Sequence, residues 1–256
     1  MIITTARRAV DSPGNGANGP SPVHIWWWLT TEIAHPEDAS LLTGTELAAA
    51  ARLPPDRRGD AISGRAAVRR ILGRLLEIPP SQIEFGRRPC PGCTEDGHGP
   101  PYVRPPGADL WISISHTRGC GLLAVADHPV GVDVEHQRRT RSADVAPKAM
   151  TPAENAYLRA IPEPEARDRA FLRCWTRKEA TLKAVGIGII TDLSSLETLP
   201  ADAGPVVIRT TVPGAPTRWE TSDLPLPTPY VGSVAHASPS ASPSPELRLH
   251  PHRHPH

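Results

Sequence analysis

The first sustained apolar run, Val23 to Leu29, carries Trp26, Trp27 and Trp28 and has the length of a strand. Ahead of it Asp11-Ser-Pro-Gly-Asn-Gly-Ala-Asn-Gly-Pro-Ser-Pro22 has no hydrophobic period, so residues 1–22 read as a flexible lead. Two helical segments follow, Glu46 to Arg52 and Arg57 to Glu77, parted by Leu53-Pro-Pro55, where a helix must stop. In the second, Ala67, Ile71, Leu72, Leu75 and Leu76 recur at helical spacing, while Arg65, Arg69 and Arg70 fall off that face. Residues 86–107 read as glycine- and proline-rich loop, and strands are predicted over Leu110 to Ser115, Leu122 to Ala126 and Val130 to Glu135. Asp127-His-Pro129 is a turn and a boundary between halves. Helices are expected over Thr151 to Ala160 and Asp168 to Val185, the latter capped by Gly186. Late strands fall at Val206 to Thr211, Arg218 to Thr221 and Tyr230 to Ala235. An α+β pattern thus occurs twice, in residues 23–127 and 128–236, followed by a Ser, Pro and His tail (237–256) expected to be disordered.

Composition narrows the class. The 256 residues suffice for a core without disulfides or metals, and with 31 prolines and 4% aromatics that core must rest on Ala, Val, Leu and Ile. A formal charge of +1 offers no electrostatic case for nucleic acid or a membrane surface. Four scattered cysteines and a charged N-terminus without an apolar run point to the cytoplasm. Lys148, Lys178 and Lys183 are the only lysines in a chain otherwise charged by arginine. They follow Pro, Arg and Leu, which excludes the Gly-Lys of a phosphate-binding P-loop.

Candidate chemistry lies in two places. In Gly131-Val-Asp-Val-Glu135, strand alternation sends Asp133 and Glu135 to one face and Val132 and Val134 to the core. Adjacent anions repel unless a cation sits between them, and Mg2+ is the oxygen-seeking ion for such a pair; an exposed acidic edge is the other reading. In the second helix, Trp175, Glu179 and Lys183 are spaced by four along one stripe. A lone Glu/Lys pair is a weak surface salt bridge, but a tryptophan in the same stripe argues that this face packs inward. Arginine cannot release a proton where a lysine can, so Lys183 is a candidate acid. Cys90-Pro-Gly-Cys93 with His98 has the look of half a zinc site; a closed one needs four ligands, and a metal-free loop is expected. The tail histidines His250, His252, His254 and His256 read as solvated.

Gly131-Val-Asp-Val-Glu135 followed by Trp175-Thr-Arg-Lys-Glu-Ala-Thr-Leu-Lys183 closely resembles the signature pair of the 4′-phosphopantetheinyl transferases. Upstream, Ser113-Ile-Ser-His-Thr117 resembles that family's Ser-His-Ser/Thr motif, and the resemblance extends loosely from Val23 to His236. The length fits the larger monomeric, surfactin-synthetase-activating type, whose fold is a pseudo-dimer of two similar α+β halves with the active site at their interface. The resemblance implies transfer of the phosphopantetheine arm of coenzyme A to a serine of an apo acyl or peptidyl carrier protein, releasing adenosine 3′,5′-bisphosphate. It implies that Asp133, Glu135 and Glu179 hold Mg2+, that Glu179 is the general base, directly or through a water, and that Lys183 neutralises or protonates the leaving phosphate. His116 would bind a phosphate oxygen, with Ser115 and Lys178 as further coenzyme A contacts. Arg57, Arg58 and Arg65 are the natural partners of the 3′-phosphate. Many members have Gly-Lys-Pro ahead of the Ser-His motif; His98-Gly-Pro-Pro101 stands here, so that charge is absent or comes from an arginine such as Arg104. Carrier contacts are expected in residues 136–167, including Met150 and Tyr157, without indication of the pathway served. The rival reading is a coenzyme A or nucleotide-binding module of the same fold without turnover, and a third is a zinc-dependent interaction protein built on the Cys90 loop.

Overall fold

A computed structural model of the chain describes residues 20–93, 97, 99–107, 109–137, 148–187, 192–238 and 243–252. Strand β1 (Val23–Leu29) is followed by helices α1 (Pro36–Ser40), α2 (Gly44–Ala51) and α3 (Pro55–Leu76), then a ribbon of β2 (Phe85–Arg87) and β3 (Pro101–Val103). Strands β4 (Trp111–Thr117), β5 (Cys120–Ala126) and β6 (Val130–His136) come next. Helices α4 (Pro152–Ala160) and α5 (Pro164–Val185) precede β7 (Val206–Arg209), β8 (Arg218–Leu224), β9 (Tyr230–Ala237) and β10 (Leu247–Pro251).

The strands form two four-stranded sheets, ordered β10-β1-β5-β4 and β6-β9-β8-β7, and each sheet carries one 22-residue helix. Strand alternation divides the apolar residues among three cores. Trp28, Leu123, Val125 and Ile112 face α3, where they meet Val68, Ile71, Leu72 and Leu75. The intervening residues Ile25, Leu122 and Ala124 face the other way and pack with Val132, Val134 and Val234 of the second sheet. Ile208, Trp219 and Val231 close on Phe171, Leu172 and Leu182 of α5.

Local chemistry explains the helix ends. Thr43 with Glu46 and Thr151 with Glu154 form capping boxes at α2 and α4. Proline opens α3, α4 and α5 where no amide donor is needed. Gly186 ends α5 with φ 91°, a left-handed cap that a side chain would strain.

Several expectations need correction. Helix α5 begins at Pro164 instead of Asp168, and the supposed loop 86–107 contains the β2–β3 ribbon. Arg69 is not off the packing face: it is 2% exposed, with Nη2 on Glu46 at 2.7 Å and Nη1 on the Ile83 carbonyl. Arg70 likewise pairs with the buried Asp38. Segments α1 and α2 cover that side of α3, so these guanidinium groups bond inward. Residues 1–19, His98, His254 and His256 lie outside the described residues.

The tail contains a strand. Leu247-Arg-Leu-His-Pro251 alternates apolar and polar side chains, and β10 pairs in parallel with β1, whose other edge is taken by β5. Leu247 and Leu249 add to the core between the sheets. His250 stacks on His24 (centroids 5.3 Å apart) and Trp26 (5.0 Å), with His24 Nδ1 3.1 Å from His250 Nε2. That contact needs one ring nitrogen to accept, which an imidazolium pair cannot do. Burial first, then the neighbouring His250 and Arg248 charges, hold His24 below its ordinary 6.5; burial and Arg248 do the same for His250. Both folded values lie below the unfolded one, so the stability this pair contributes is present above about pH 6.5 and lost as pH falls through the folded values. Amide exchange across residues 247–251, corrected for intrinsic rate, is therefore expected to quicken between about pH 7.5 and about pH 5.5. His250→Phe should keep the stack on Trp26 and flatten that dependence; an unchanged slope would show that other groups control the strand.

Candidate active site

Strand β4 is the edge of the first sheet and β6 the edge of the second. Its alternate residues Ser113, Ser115 and Thr117 bridge them: their hydroxyl oxygens accept from the Val132, Val134 and His136 amides at 3.0, 3.3 and 3.3 Å. The ladder supplies acceptors to amides that no strand pairs. It also fixes Ser115 against Asp133, whose Oδ1 accepts from Ser115 Oγ at 2.9 Å.

Helix α5 brings the remaining groups. A side chain at Gly131 would collide with the α5 backbone at Ala180, so glycine permits the close approach of β6 to the helix. Lys183 Nζ then reaches Asp133 Oδ1 at 2.6 Å and Ser115 Oγ at 3.0 Å. Glu179, one turn earlier, is 8% exposed. Burial first, then the charges of Asp133 and Glu135 against the opposing Lys183, push its carboxyl up to about 7. Asp133 Oδ2 and Glu179 Oε1 are both buried without a hydrogen-bond partner. Two orphaned carboxylate oxygens on adjoining elements suit a hard cation, with half-buried Glu135 beside them. Among the described residues no three metal-ligating side chains already converge, and Lys183 holds Asp133 Oδ1. The donor set fits a hard divalent cation, for which Asp133 and Glu179 each leave one buried oxygen without a hydrogen bond.

Beside these groups opens a cavity of ≈ 460 Å³ walled by Arg65, His116, Lys183, Ser113, Trp28 and Arg87. His116 is exposed, yet desolvation, and after it the charges of Arg65, Lys183 and Arg57, hold its imidazole below the ordinary value. The expected residues thus divide. Ser115, His116, Asp133, Glu179, Lys183 and Arg65 meet in or beside one cleft, with Arg57 close enough for its charge to reach His116. Arg58 is exposed and turned to the Leu53 carbonyl at 3.0 Å. Arg104 is exposed beside Glu84, whereas Arg87, which sequence reasoning passed over, stands in the wall.

Lys178 is a correction. Its ammonium is fully buried, 2.6 Å from Glu154 Oε2, and donates to the Ala149 and Leu193 carbonyls at 2.9 and 2.8 Å. Every donor is occupied on the core side of α5, leaving none for a ligand. Arg177 is likewise buried, on Asp223 and three backbone carbonyls. Met150, expected as a carrier contact, is 1% exposed and packs in the core, with Tyr157 partly buried against it; residues 138–147 lie outside the described residues. The residues that share the cavity face of α3 with the expected Arg65, namely Asp60, Ala61, Gly64 and Val68, were missed. Their legible signal was the i, i+4, i+8 stripe of Asp60, Gly64 and Val68, which carries one charge among small and apolar side chains.

Residues 129–235, which hold β6, α5 and the carboxylates, match the family model of the 4′-phosphopantetheinyl transferase superfamily. The 4′-phosphopantetheinyl transferase HetI of Nostoc sp. is 32% identical over 70% of this chain and 79% of its own. A putative 4′-phosphopantetheinyl transferase of Synechocystis sp. is 29% identical over 69% of this chain and 70% of its own, and one from Bacillus subtilis 28% over 57% and 60%. The chain belongs to the 4′-phosphopantetheinyl transferase superfamily and is an enzyme of that class.

Breaking the buried Lys178–Glu154 pair leaves an uncompensated carboxylate in the core. Lys178→Met is expected to lower stability by about 3–5 kcal/mol in denaturant titrations. A loss below about 1 kcal/mol would place Lys178 among ordinary surface charges.

Proposed function

We propose that this enzyme transfers the 4′-phosphopantetheine group of coenzyme A to a serine hydroxyl of an apo carrier protein, releasing adenosine 3′,5′-bisphosphate. The observation that carries this reading is the meeting of Asp133, Glu179, Ser115 and Lys183 at the mouth of a cavity walled by Arg65 and His116. A diphosphate fits such a site, with anion-binding cations along one side and a carboxylate cluster on the other. The two sheets, each with one long helix, support a pseudo-dimer of similar halves; that the enzyme works as a cytoplasmic monomer is part of the same proposal.

Asp133, Glu135 and Glu179 are the residues that would hold Mg2+, which when bound neutralises diphosphate oxygens as charge develops in the transition state. The chain's own groups do the rest. Arg65 and His116 orient phosphate oxygens from the α3 side. Glu179, whose carboxyl is pushed up to about 7, takes the serine proton directly or through a water. The serine oxygen forms its bond to the phosphorus of the pantetheine phosphate as the bond to the nucleotide phosphate oxygen breaks. Lys183 neutralises that leaving oxygen or gives it a proton, a role its place between Ser115 and Asp133 permits.

Incubating the protein with coenzyme A, Mg2+ and a panel of apo carriers, with the mass of each carrier as readout, tests the reading; no mass gain on any carrier would overturn it. Asp133→Ala is expected to slow transfer at least about a hundredfold while leaving the thermal transition cooperative. Turnover near the parent's, with Mg2+ as the sole metal, would remove Asp133 from the metal site. Lys183→Arg keeps the charge and loses the titratable proton, and a drop of at least about a hundredfold is expected if the lysine is the acid. Equal rates would show that charge alone suffices.

A further inference from the structure

A phosphate-binding wall has no electrostatic use for a buried carboxylate, yet Asp60 of α3 is one. It lines the same cavity as Gly64, Arg65, His116 and Lys183 and is 5% exposed. Thr30 Oγ1 donates to Asp60 Oδ1 at 2.6 Å, and Oδ2 is buried with no partner. Among the described residues no cation hydrogen-bonds Oδ2: Arg65 Nη1 donates to the Ala61 carbonyl at 3.3 Å, and Arg118 pairs with Glu32 at 2.8 Å. A buried carboxylate oxygen without a donor is strongly disfavoured unless something else supplies one.

We propose that Asp60 is a ligand-binding residue of this enzyme, its Oδ2 accepting a hydrogen bond from an O–H or N–H group that coenzyme A carries close to its phosphates. This assignment rests on the transferase reading above. Phosphate oxygens cannot fill the role, since at neutral pH they act as acceptors and repel a carboxylate. The nucleotide side of coenzyme A offers a ribose hydroxyl and the adenine amine, and the pantetheine side a hydroxyl and amide N–H groups, so either side carries a donor of the chemistry Asp60 requires. Thr30 holds the carboxylate by its other oxygen, so Oδ2 is oriented before the ligand arrives. Asp60 thereby separates coenzyme A from a bare polyphosphate: the cations attract both, and only a ligand with a donor offsets the repulsion.

The sign of one measurement tests this. Removing a carboxylate that merely faces phosphates relieves repulsion and tightens binding; removing one that accepts a ligand hydrogen bond weakens it. Asp60→Leu, which removes both acceptor oxygens at similar volume, is expected to raise KM for coenzyme A about tenfold with kcat within about twofold. Inhibition by inorganic pyrophosphate, which has no carbon-borne O–H or N–H donor, should stay equal or strengthen. Calorimetry with adenosine 3′,5′-bisphosphate and with 4′-phosphopantetheine tells which side supplies the donor: weakened binding of either supports the assignment. Unchanged or tighter binding of both fragments and of coenzyme A overturns it, even where the parent enzyme transfers normally. Thr30→Val, which releases the carboxylate without removing it, should raise the same KM and keeps the test decisive if Asp60→Leu fails to fold. Should the parent modify no carrier at all, coenzyme A calorimetry on parent and variant still decides the role of Asp60.

Discussion

The outer edge of β6 presents backbone amides that no strand pairs, and the site is built on how they are satisfied. Ser113, Ser115 and Thr117 reach across from β4 and accept from Val132, Val134 and His136. Buried amides left unpaired would be costly, at about 1–3 kcal/mol each, so the hydroxyl ladder sets the register between the two sheets. That register puts Ser115 on Asp133, and Gly131 lets α5 approach closely enough for Lys183 to join them. A slip of one residue along β4 would present Ile114 and His116 to β6, leave its amides without acceptors and separate the acid cluster from the cation wall.

The electrostatic design is one of held tension. Glu179, Asp133 and Glu135 gather negative charge in a partly desolvated corner, and Lys183 is the cation within direct reach of Asp133. Across the cavity Arg65 and Arg57 gather positive charge beside His116, and desolvation first, then those neighbouring charges, keep its imidazole from adding to it. In the transfer proposed above, a diphosphate with a divalent cation would meet both sides at once. Asp60 departs from this division, since its Oδ2 is a buried carboxylate oxygen without a hydrogen-bond partner.

Helix α5 shows how one motif mixes two tasks. Glu179 and Lys183 face the cleft, while Arg177 and Lys178, adjacent in sequence, turn roughly a quarter to half circle away and fasten the helix to α4, β8 and the loop before β7. The scarcity of lysine gains meaning at both positions. Lys178 is a compact charge meeting Glu154 and two carbonyls, a geometry the planar guanidinium fork would not reproduce. Lys183 shares a short bond with Asp133 and keeps a proton that arginine could not release.

Residue chemistry and periodicity alone specified the two long helices, the strands around Asp133, the cap at Gly186, and the carboxylate–lysine stripe, because each depends on neighbours within a turn or a strand. Composition misled where it averaged over too many residues: the Pro, Ser and His content of the tail hid a five-residue alternation that pairs with β1. Which face of α3 is buried on α2, which of two consecutive basic residues meets the core, and that Arg87 and Asp60 share a wall with His116 were decided only by tertiary packing. Those outcomes depend on contacts between segments far apart in the chain, and burial, not residue type, determines whether a charge becomes an anchor or a ligand contact.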